Sequence, residues 1–188
     1  MRGRELQIGK LSEKERGYLF GLFEGDGYRF HDKKSRHYHV EFYLNSRKDK
    51  DIINYLVGLL KKINLSPSLY QDKRFNCMRI RVYSKDLFSI IKKQISLEDQ
   101  KKEFGIGFIS GLIDSEGYYN KNKSYIMVIN TNLKILEDSQ KFLKKMRISS
   151  SISKRKPSKK DRSDSYRMYI SVNFKNVPNL SLKTKRLQ

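Results

Sequence analysis

The chain has 188 residues and a formal net charge of +21 at neutral pH, with 41 Lys and Arg against 20 Asp and Glu. Such an excess of positive charge predicts a polyanionic partner, most often a nucleic acid. We expect no membrane partner, because the sequence shows no long apolar run, signal peptide or lipidation motif. The single cysteine, Cys77, excludes an intramolecular disulfide and indicates an intracellular protein, with no compartment assigned.

The N-terminal part of the chain predicts a capped helix followed by two strands. Ser12 and Glu15 form a predicted capping box at the start of a helix over 13–25. A strand is predicted from Tyr28, and residues 37–45 alternate between apolar and polar side chains. One face of that second strand is therefore apolar, and the other is polar and rich in aromatic residues.

The next part of the chain predicts a helix, a hairpin and a shorter helix. Leucine and isoleucine recur at helical spacing over 50–64, and a hairpin over 69–83 follows. A short helix over 85–95 closes the unit, and 96–101 is the predicted linker. In the second strand of the hairpin the apolar side chains are Met78, Ile80 and Val82, and the opposite face carries Arg79, Arg81 and Tyr83.

The second half of the chain repeats this order. Two related stretches occur 90 positions apart, YLFGLFEGDG at 18–27 and FISGLIDSEG at 108–117, which indicates two similar supersecondary units. Strand residues 168–173 match 78–83 at the same offset, whereas the middle helix recurs at an offset of 83. The first hairpin of the second unit is therefore predicted to be seven residues shorter, and the second hairpin to regain them within 154–165.

Small residues on one face of each recurring helix predict close packing between the two helices. Gly21 and Gly25 are four positions apart and so share a face, and Gly111 and Ser115 repeat that arrangement. Small side chains at this spacing let two helix backbones approach each other. A packing role also explains why interior glycines are kept, since each costs about 1 kcal/mol of helix stability relative to alanine.

An acid precedes the last glycine of each stretch, Asp26 in the first and Glu116 in the second. A carboxylate there meets the negative end of the helix dipole, and packed helices would bring two like charges together. A bound divalent cation would reverse both penalties. An isolated Asp-Gly pair is also an ordinary turn, but recurrence in the same frame favours the metal hypothesis.

These stretches resemble the paired signature of the LAGLIDADG homing endonucleases, in the form that carries two signatures on one chain. The resemblance implies an α+β fold, a pseudo-two-fold tandem repeat of αββαββα units. The two signature helices would pack at the interface, and two antiparallel sheets would form a saddle across DNA. The expected units are 1–95 and 102–188, joined by the linker 96–101. The sequence departs from the consensus at Phe20, Phe23, Glu24, Gly25, Ile109, Ser110, Ser115 and Glu116.

The resemblance also implies the chemistry of the acid pair. Asp26 and Glu116 would be the catalytic residues and would bind Mg²⁺, with Mn²⁺ as a substitute, one acid for each strand cut. The backbone carbonyls of Gly25 and Ser115 would contribute further ligands. Divalent metals activate an attacking water and stabilise the leaving oxygen in phosphodiester hydrolysis.

Side chains opposite the apolar stripes are expected to face DNA. Asn45 and Asn130 are interpreted as equivalent positions after the second strand of each unit. The aligned pairs Arg79 and Tyr169, Arg81 and Ser171, and Tyr83 and Asn173 differ, which predicts a target with distinct halves. The complete set of predicted DNA-binding residues is Arg29, His37, His39, Asn45, Arg79, Arg81, Tyr83, Lys121, Asn130, Tyr169, Ser171 and Asn173.

The function predicted from these features is a site-specific homing endonuclease. It would make metal-dependent double-strand breaks in a long, pseudo-palindromic target of double-stranded DNA. It would act as a monomer, because one chain already contains both half-sites. It would be intron-encoded, because nothing like a protein-splicing domain surrounds the two repeats. Two alternatives stay open on the same fold, an RNA-binding maturase whose partner is intron RNA and a DNA-binding regulator without catalytic activity.

Overall fold

The computed structural model describes residues 5–93, 96–120, 122–155, 164–171 and 182, and these form an α+β fold. The first repeat consists of α1 (Glu13–Asp26), β1 (Gly27–Asp32), β2 (His37–Asn45), α2 (Lys50–Lys62), β3 (Ser68–Asp72), β4 (Cys77–Tyr83) and α3 (Lys85–Lys92). The second repeat consists of α4 (Lys102–Glu116), β5 (Gly117–Asn120), β6 (Tyr125–Asn130), α5 (Leu133–Lys145), β7 (Ser150–Lys154) and β8 (Tyr166–Ser171). The predicted order is confirmed, and the expected last helix of the second repeat falls outside the described residues.

Local signals in the sequence place the start of α1 well and the ends of the helices less well. The Ser12 hydroxyl accepts the backbone N–H of Glu15 at 3.2 Å, and the Glu15 carboxylate accepts the backbone N–H of Ser12 at 2.8 Å. This reciprocal capping box is the predicted one. α1 extends one residue beyond the prediction, whereas α2 ends two residues before it.

Each repeat contributes one four-stranded antiparallel sheet. The strand orders are β1-β2-β4-β3 and β5-β6-β8-β7. The central strands bury one face against the helices, and their fully or almost fully buried side chains are Val40, Phe42, Ile80, Val82, Ile126, Val128, Met168 and Ile170. The opposite face of the first sheet is mostly polar and aromatic, as the alternation predicts. The opposite face of the second sheet is less polar, because β6 places Met127 and Ile129 on it.

The helices α1 and α4 pack against each other through their backbones. A Cβ atom added to any of four glycines would lie less than 3.0 Å from backbone atoms of the other helix, and these glycines are Gly17, Gly21, Gly107 and Gly111. Side chains on the remaining sides of both helices are buried as well, including Leu19, Leu22, Ile109 and Leu112. The predicted packing of the two signature helices is confirmed, and it extends one turn further than Gly21 towards the N-terminus.

The strand registers correct one alignment between the repeats. Ile80 lies opposite Phe42 and Met168 lies opposite Val128, and both Phe42 and Val128 pair with the glycine that follows a signature helix. Met168 therefore corresponds to Ile80 rather than to Met78, so the offset of 90 in this strand is wrong by two residues. Because the side-chain period of a strand is two, such a shift leaves every residue on its predicted face.

The corrected register changes which residues of the two sheets are compared. Arg79 lies opposite Tyr43 and Arg167 lies opposite Ile129, where Tyr43 and Ile129 are themselves equivalent. The same comparison applies along both strands. The corresponding pairs are Arg79 with Arg167, Arg81 with Tyr169, and Tyr83 with Ser171.

Hairpin lengths also differ from the prediction. Fifteen positions separate Gly27 from Phe42, whereas eleven separate Gly117 from Val128, so the first hairpin of the second repeat is shorter by four residues rather than seven. The two middle helices, α2 and α5, keep the predicted offset of 83. The remaining three residues of the predicted difference are therefore missing between β6 and α5. In the second hairpins, eleven positions separate Leu69 from its partner Ile80, whereas sixteen separate Ile152 from its partner Met168. The second hairpin of the second repeat is therefore longer by five residues rather than the predicted seven, as the two-residue correction in β8 requires.

Candidate active site and nucleic-acid interface

The two predicted catalytic acids occupy the same place in the two repeats. Asp26 is the last residue of α1 and Glu116 is the last residue of α4, and a glycine then begins the first strand of each sheet. A Cβ atom added to Gly25 would contact the Ser115 side chain and would lie 2.8 Å from Cγ of Glu116. The side chain of Glu116 therefore lies against the last turn of α1, next to Asp26.

The donor set at these helix ends fits a hard divalent cation. Two carboxylates and two helix C-termini concentrate negative charge there. Within the described part of the chain, no group of three or more His, Cys, Asp or Glu could hold a metal ion. Two protein carboxylates with water or phosphate oxygens match the preference of Mg²⁺, which keeps several waters when it binds proteins. The carbonyls of Gly25 and Ser115 lie in the same last turns and stay predicted ligands.

An open depression beside Asp26 connects the acid pair with the first sheet. Its lining includes Gly25, Asp26, Tyr28 and Tyr43. Burial, together with the negative charges of Asp72 and Asp26, raises the pKa of the Cys77 thiol. Asp26 is thus close enough to β4 to influence a side chain on it, so the acids lie at the edge of a sheet surface.

The acids two positions earlier point elsewhere, as their helical spacing predicts. Asp114 is fully buried, and its carboxylate accepts hydrogen bonds from the Tyr18 hydroxyl at 2.8 Å and from the backbone N–H of Leu182 at 3.0 Å. Glu24 lines a small cavity together with Phe108 and Asp138. Both acids therefore have packing roles, and they do not join Asp26 and Glu116.

Burial raises the pKa of the Glu24 carboxyl, although attraction to Arg29 opposes this effect. A carboxyl whose pKa is higher in the folded state than in the unfolded state stabilises the folded protein at pH values below the unfolded pKa. This stabilisation is lost as the pH rises through the folded pKa. We therefore expect Glu24→Gln to raise the midpoint of thermal unfolding at pH 7. The same comparison at pH 3.5, below the ordinary pKa of glutamate of about 4.3, should show a smaller difference. An equal difference at both pH values would contradict a desolvated carboxylate.

The polar side of the first sheet, which we call the first polar face, collects most of the predicted DNA-binding residues of that repeat. Its register brings together side chains from β1, β2 and β4. The members predicted to bind DNA are His37, His39, Asn45, Arg79, Arg81 and Tyr83. Glu41 and Tyr43 also lie on this face, as the alternation of β2 predicts, and sequence reasoning missed only Tyr28 and Phe30. Asn45 also closes the following turn, because its side-chain oxygen accepts the backbone N–H groups of Arg47 and Lys48.

Exposed aromatic rings extend the aromatic character that β2 predicts for the first polar face, because β1 adds Tyr28 and Phe30 to it. Tyr28, Phe30 and Tyr83 are 49%, 43% and 57% exposed, and the Tyr28 and Phe30 rings stack 6.5 Å apart. The Arg79 guanidinium lies over the ring of Tyr70 at 4.8 Å. Large exposed rings rarely cluster without a partner, and on a DNA-binding surface they can contact thymine methyl groups. Alternation along β1 could have predicted the positions of Tyr28 and Phe30, because residues paired across two antiparallel strands lie on the same face of the sheet.

Two predicted DNA-binding residues are not on a polar face. Arg29 lies opposite buried Val40, on the helix side of the sheet, with its guanidinium over the ring of Phe88 at 5.5 Å. Asn130 is buried on the helix side of the second sheet, where its side-chain amide donates to the carbonyl of Glu24 at 3.2 Å. Asn130 corresponds in register to Leu44, so its predicted equivalence to Asn45 is wrong by one residue.

The second polar face belongs to the sheet of the second repeat and has a different composition. It includes the predicted residues Tyr169 and Ser171 on β8. It also includes Arg167, which sequence reasoning missed because of the two-residue misalignment. The Nε atom of Arg167 is buried and has no hydrogen-bond partner among the residues described. Lys121 and Asn173, both predicted to bind DNA, lie outside the described residues.

Comparison with known families decides the classification. The family described as the LAGLIDADG-like domain matches the chain over residues 13–96 and 103–176, which is most of its length. The chain belongs to the LAGLIDADG-like family. The repeated helix with its terminal acid, seen in α1 and α4, is therefore the family signature in both copies.

One curated relative matches most of this chain. An uncharacterized protein of Methanocaldococcus jannaschii is 30% identical over 142 residues, which are 73% of this chain and 51% of that protein. The chain thus spans about half the length of this curated relative. Within the described segments, no helix has the length and apolar character required to cross a membrane.

Solved structures share the fold at lower identity. The structure of I-DmoI in complex with DNA and Ca matches with a TM-score of 0.67 at 21% identity and covers 93% of this chain and 97% of that chain. Full-length WhiA from Thermotoga maritima matches with a TM-score of 0.62 at 20% identity and covers 92% of this chain and 58% of that chain. The same architecture thus occurs in a DNA-bound protein of two repeats and in WhiA, so the fold by itself does not define an activity.

Proposed function

We propose that the protein is a site-specific endonuclease that makes metal-dependent double-strand breaks in DNA. The observation that carries this proposal is the meeting of Asp26 and Glu116 at the adjoining ends of α1 and α4. Two like charges at the negative ends of two helices are unfavourable unless a cation or a proton compensates them. An acid pair that favours a bound cation and lies beside two polar sheet faces suits phosphodiester hydrolysis.

The chain's own groups have defined tasks in this proposal. The Asp26 and Glu116 carboxylates would hold Mg²⁺ or Mn²⁺ and so fix where the scissile phosphates lie. When bound, the metal supplies Lewis-acid activation of the phosphate and of the attacking water. Backbone packing between α1 and α4 holds the two carboxylates at a constant separation, which matters because small errors in position are costly to catalysis. Support for a divalent metal also comes from the DNA complexes of I-DmoI that contain Ca or Mn.

The two polar faces would form the DNA-binding saddle, with one face for each half of a long target. Arg81 corresponds to Tyr169 and Tyr83 corresponds to Ser171, so the two halves should differ at the base pairs these residues contact. Arginine is present at the remaining equivalent position of both faces. A pseudo-palindromic target follows, with symmetric and asymmetric contacts in its two halves. Because both halves of the saddle belong to one chain, we propose a monomer, and sedimentation as a stable dimer would contradict it.

The first experiment is a binding selection from randomised duplexes followed by cleavage of the selected sites in Mg²⁺. Breaks in both strands support the endonuclease. Selective binding without cleavage in Mg²⁺ or Mn²⁺ would support the DNA-binding regulator instead. The I-DmoI complexes that match this chain contain DNA, which supports the endonuclease over the RNA-binding maturase.

The charge of the chain leads to an expectation about salt. With a net charge of +21 and arginines on both polar faces, several phosphates should be contacted, each lowering the slope of log K against log salt by about 0.9. Six contacts would reduce the affinity by about 10³-fold between 50 and 200 mM salt. Equilibrium titrations of the selected duplex measure the slope. The control is Lys61→Ala, on an exposed position of α2, which should leave the slope unchanged. A slope near zero for the wild-type protein would contradict DNA binding through the two polar faces.

A further inference from the structure

A buried acid lies in the middle of the first polar face. Glu41 is only 2% exposed, although it belongs to the surface proposed to bind a polyanion. One carboxylate oxygen accepts a hydrogen bond from Nε of Arg81, and the other accepts one from the hydroxyl of Tyr43. His39 lies 3.5 Å from the same carboxylate. A negative charge on this face weakens phosphate binding, so we expect the Glu41 carboxylate to have a role that offsets this loss.

The electrostatics show that the Glu41 carboxylate is charged. Burial raises the pKa of Glu41, but the hydrogen bonds from Tyr43 and Arg81 outweigh burial and hold the pKa below its ordinary value. Burial lowers the pKa of His39 despite the nearby charge of Glu41. At neutral pH the centre of the group is therefore an ionised Glu41 paired with the Arg81 guanidinium, beside a neutral imidazole.

Arg81 is held from two directions by this group. Its Nε donates to Glu41 and one terminal nitrogen donates to the Tyr83 hydroxyl at 3.2 Å. An arginine has five N–H donors in a rigid plane, so three remain beyond the hydrogen bonds made with described residues. The side chain of Arg81 is 21% exposed. A planar group fixed on two sides holds its remaining donors in defined directions, and a bidentate contact to guanine requires a pair of donors held in this way.

The second repeat lacks this arrangement. In the corrected register Glu41 corresponds to Met127 and Arg81 corresponds to Tyr169. The same sheet position thus tolerates an apolar side chain, and the acid is not needed to build the sheet. Arg79, the neighbouring arginine of the first face, rests on the Tyr70 ring and has no carboxylate partner in the described structure.

We propose that Glu41 is a positioning residue that holds Arg81 in one orientation and thereby sets base specificity in the half of the target bound by the first repeat. The inference rests on the proposed DNA-binding function, and it concerns specificity rather than cleavage. Removal of Glu41 should have two opposite effects. Affinity for nonspecific duplex should rise because a negative charge is lost, while discrimination between bases should fall because Arg81 gains alternative orientations.

The test measures base-by-base binding in EDTA, where no metal-dependent cleavage can occur, on duplexes selected with the wild-type protein. Four proteins are compared: wild type, Glu41→Met, Arg81→Ala and the double variant. We expect Glu41→Met to lose about tenfold discrimination at the one or two base pairs that Arg81→Ala also affects. The double variant should lose no more than Arg81→Ala alone, because residues that act together are not additive.

Controls separate this role from a purely structural one. Glu98→Gln removes the same charge from an exposed position in the turn Leu97–Asp99 and should leave the base profile unchanged. Thermal unfolding checks that Glu41→Met is folded; if it is not, Glu41→Gln, which keeps one acceptor oxygen for Arg81, should show a smaller loss at the same base pairs. An unchanged base-by-base binding profile in a folded Glu41 variant, or additive losses of discrimination in the double variant, would overturn this inference and leave the proposed function intact. A folded wild-type protein without any sequence preference would overturn the proposed function as well.

Discussion

Gly21→Ala is expected to lower the free energy of unfolding by about 3 kcal/mol. A Cβ atom at this position would overlap the carbonyl oxygen of Phe108 and would lie 3.0 Å from the backbone nitrogen of Leu112. Backbone atoms inside a helix cannot move aside as a flexible side chain can, so α1 and α4 would have to separate. Overpacking of cores costs about 1–3 kcal/mol, occasionally more, and contact with backbone belongs at the upper end. Equilibrium denaturation measures the loss.

The chain supplies a matched control for this substitution in Gly58. This glycine lies in the exposed part of α2, where an added Cβ would have nothing within 4 Å. Alanine is the better helix former by about 1 kcal/mol, so Gly58→Ala should stabilise the protein. Opposite signs for the two variants would confirm that backbone contact determines the cost. A loss at Gly21 no larger than about 0.5 kcal/mol would contradict the close packing of α1 on α4.

Asp26→Asn and Glu116→Gln should each reduce double-strand cleavage by about 10³-fold or more while leaving DNA binding intact. Removal of a single group that stabilises transition-state charge typically costs 10²- to 10³-fold, and loss of a metal ligand adds to that. Binding should be unchanged or slightly tighter, because a negative charge beside the phosphates is removed. Single-turnover cleavage of a selected target, with binding measured separately, gives both quantities.

The control for the acid pair is Glu24→Gln, which removes one carboxylate from the same last turn of α1. Glu24 lines the cavity near Phe108 rather than the junction with Glu116, so its loss should leave the cleavage rate within about twofold. Equal losses of cleavage rate from Glu24→Gln and Asp26→Asn would mean that the total negative charge at the helix ends, rather than a specific carboxylate, determines the rate. If the Asp26→Asn, Glu116→Gln double variant cleaved DNA at the wild-type rate, neither acid would have a catalytic role.

The fold could be predicted from the sequence because its strongest signals are local and occur twice. The capping box at Ser12 defines where α1 begins, and the repeated acid-glycine pair marks where α1 and α4 end. Alternation along β2 and β4 identifies the buried and polar sides of the first sheet. The glycine face predicts which helices meet, although it does not show that Gly17 and Gly107 extend the contact by a further turn.

The errors lie where the sequence has no independent information about pairing. A slip of two residues in β8 leaves its alternation unchanged, so Arg167 was overlooked and Tyr169 was compared with the wrong arginine. The side on which Arg29 lies depends on the register between β1 and β2, which the turn between them determines. The network around Glu41 joins residues from two strands, and its members become neighbours only when the sheet forms.

Metal-dependent cleavage at a specific site is tested most directly on duplexes selected by binding from a randomised library. The selected duplexes are incubated with the wild-type protein in Mg²⁺ or in EDTA, and both ends of every cut are sequenced. We expect breaks in both strands at one position within a long, imperfect palindrome, present in Mg²⁺ and missing in EDTA. Tight, selective binding with no cut in Mg²⁺ or Mn²⁺, by a folded protein with Asp26 and Glu116 intact, would contradict the endonuclease.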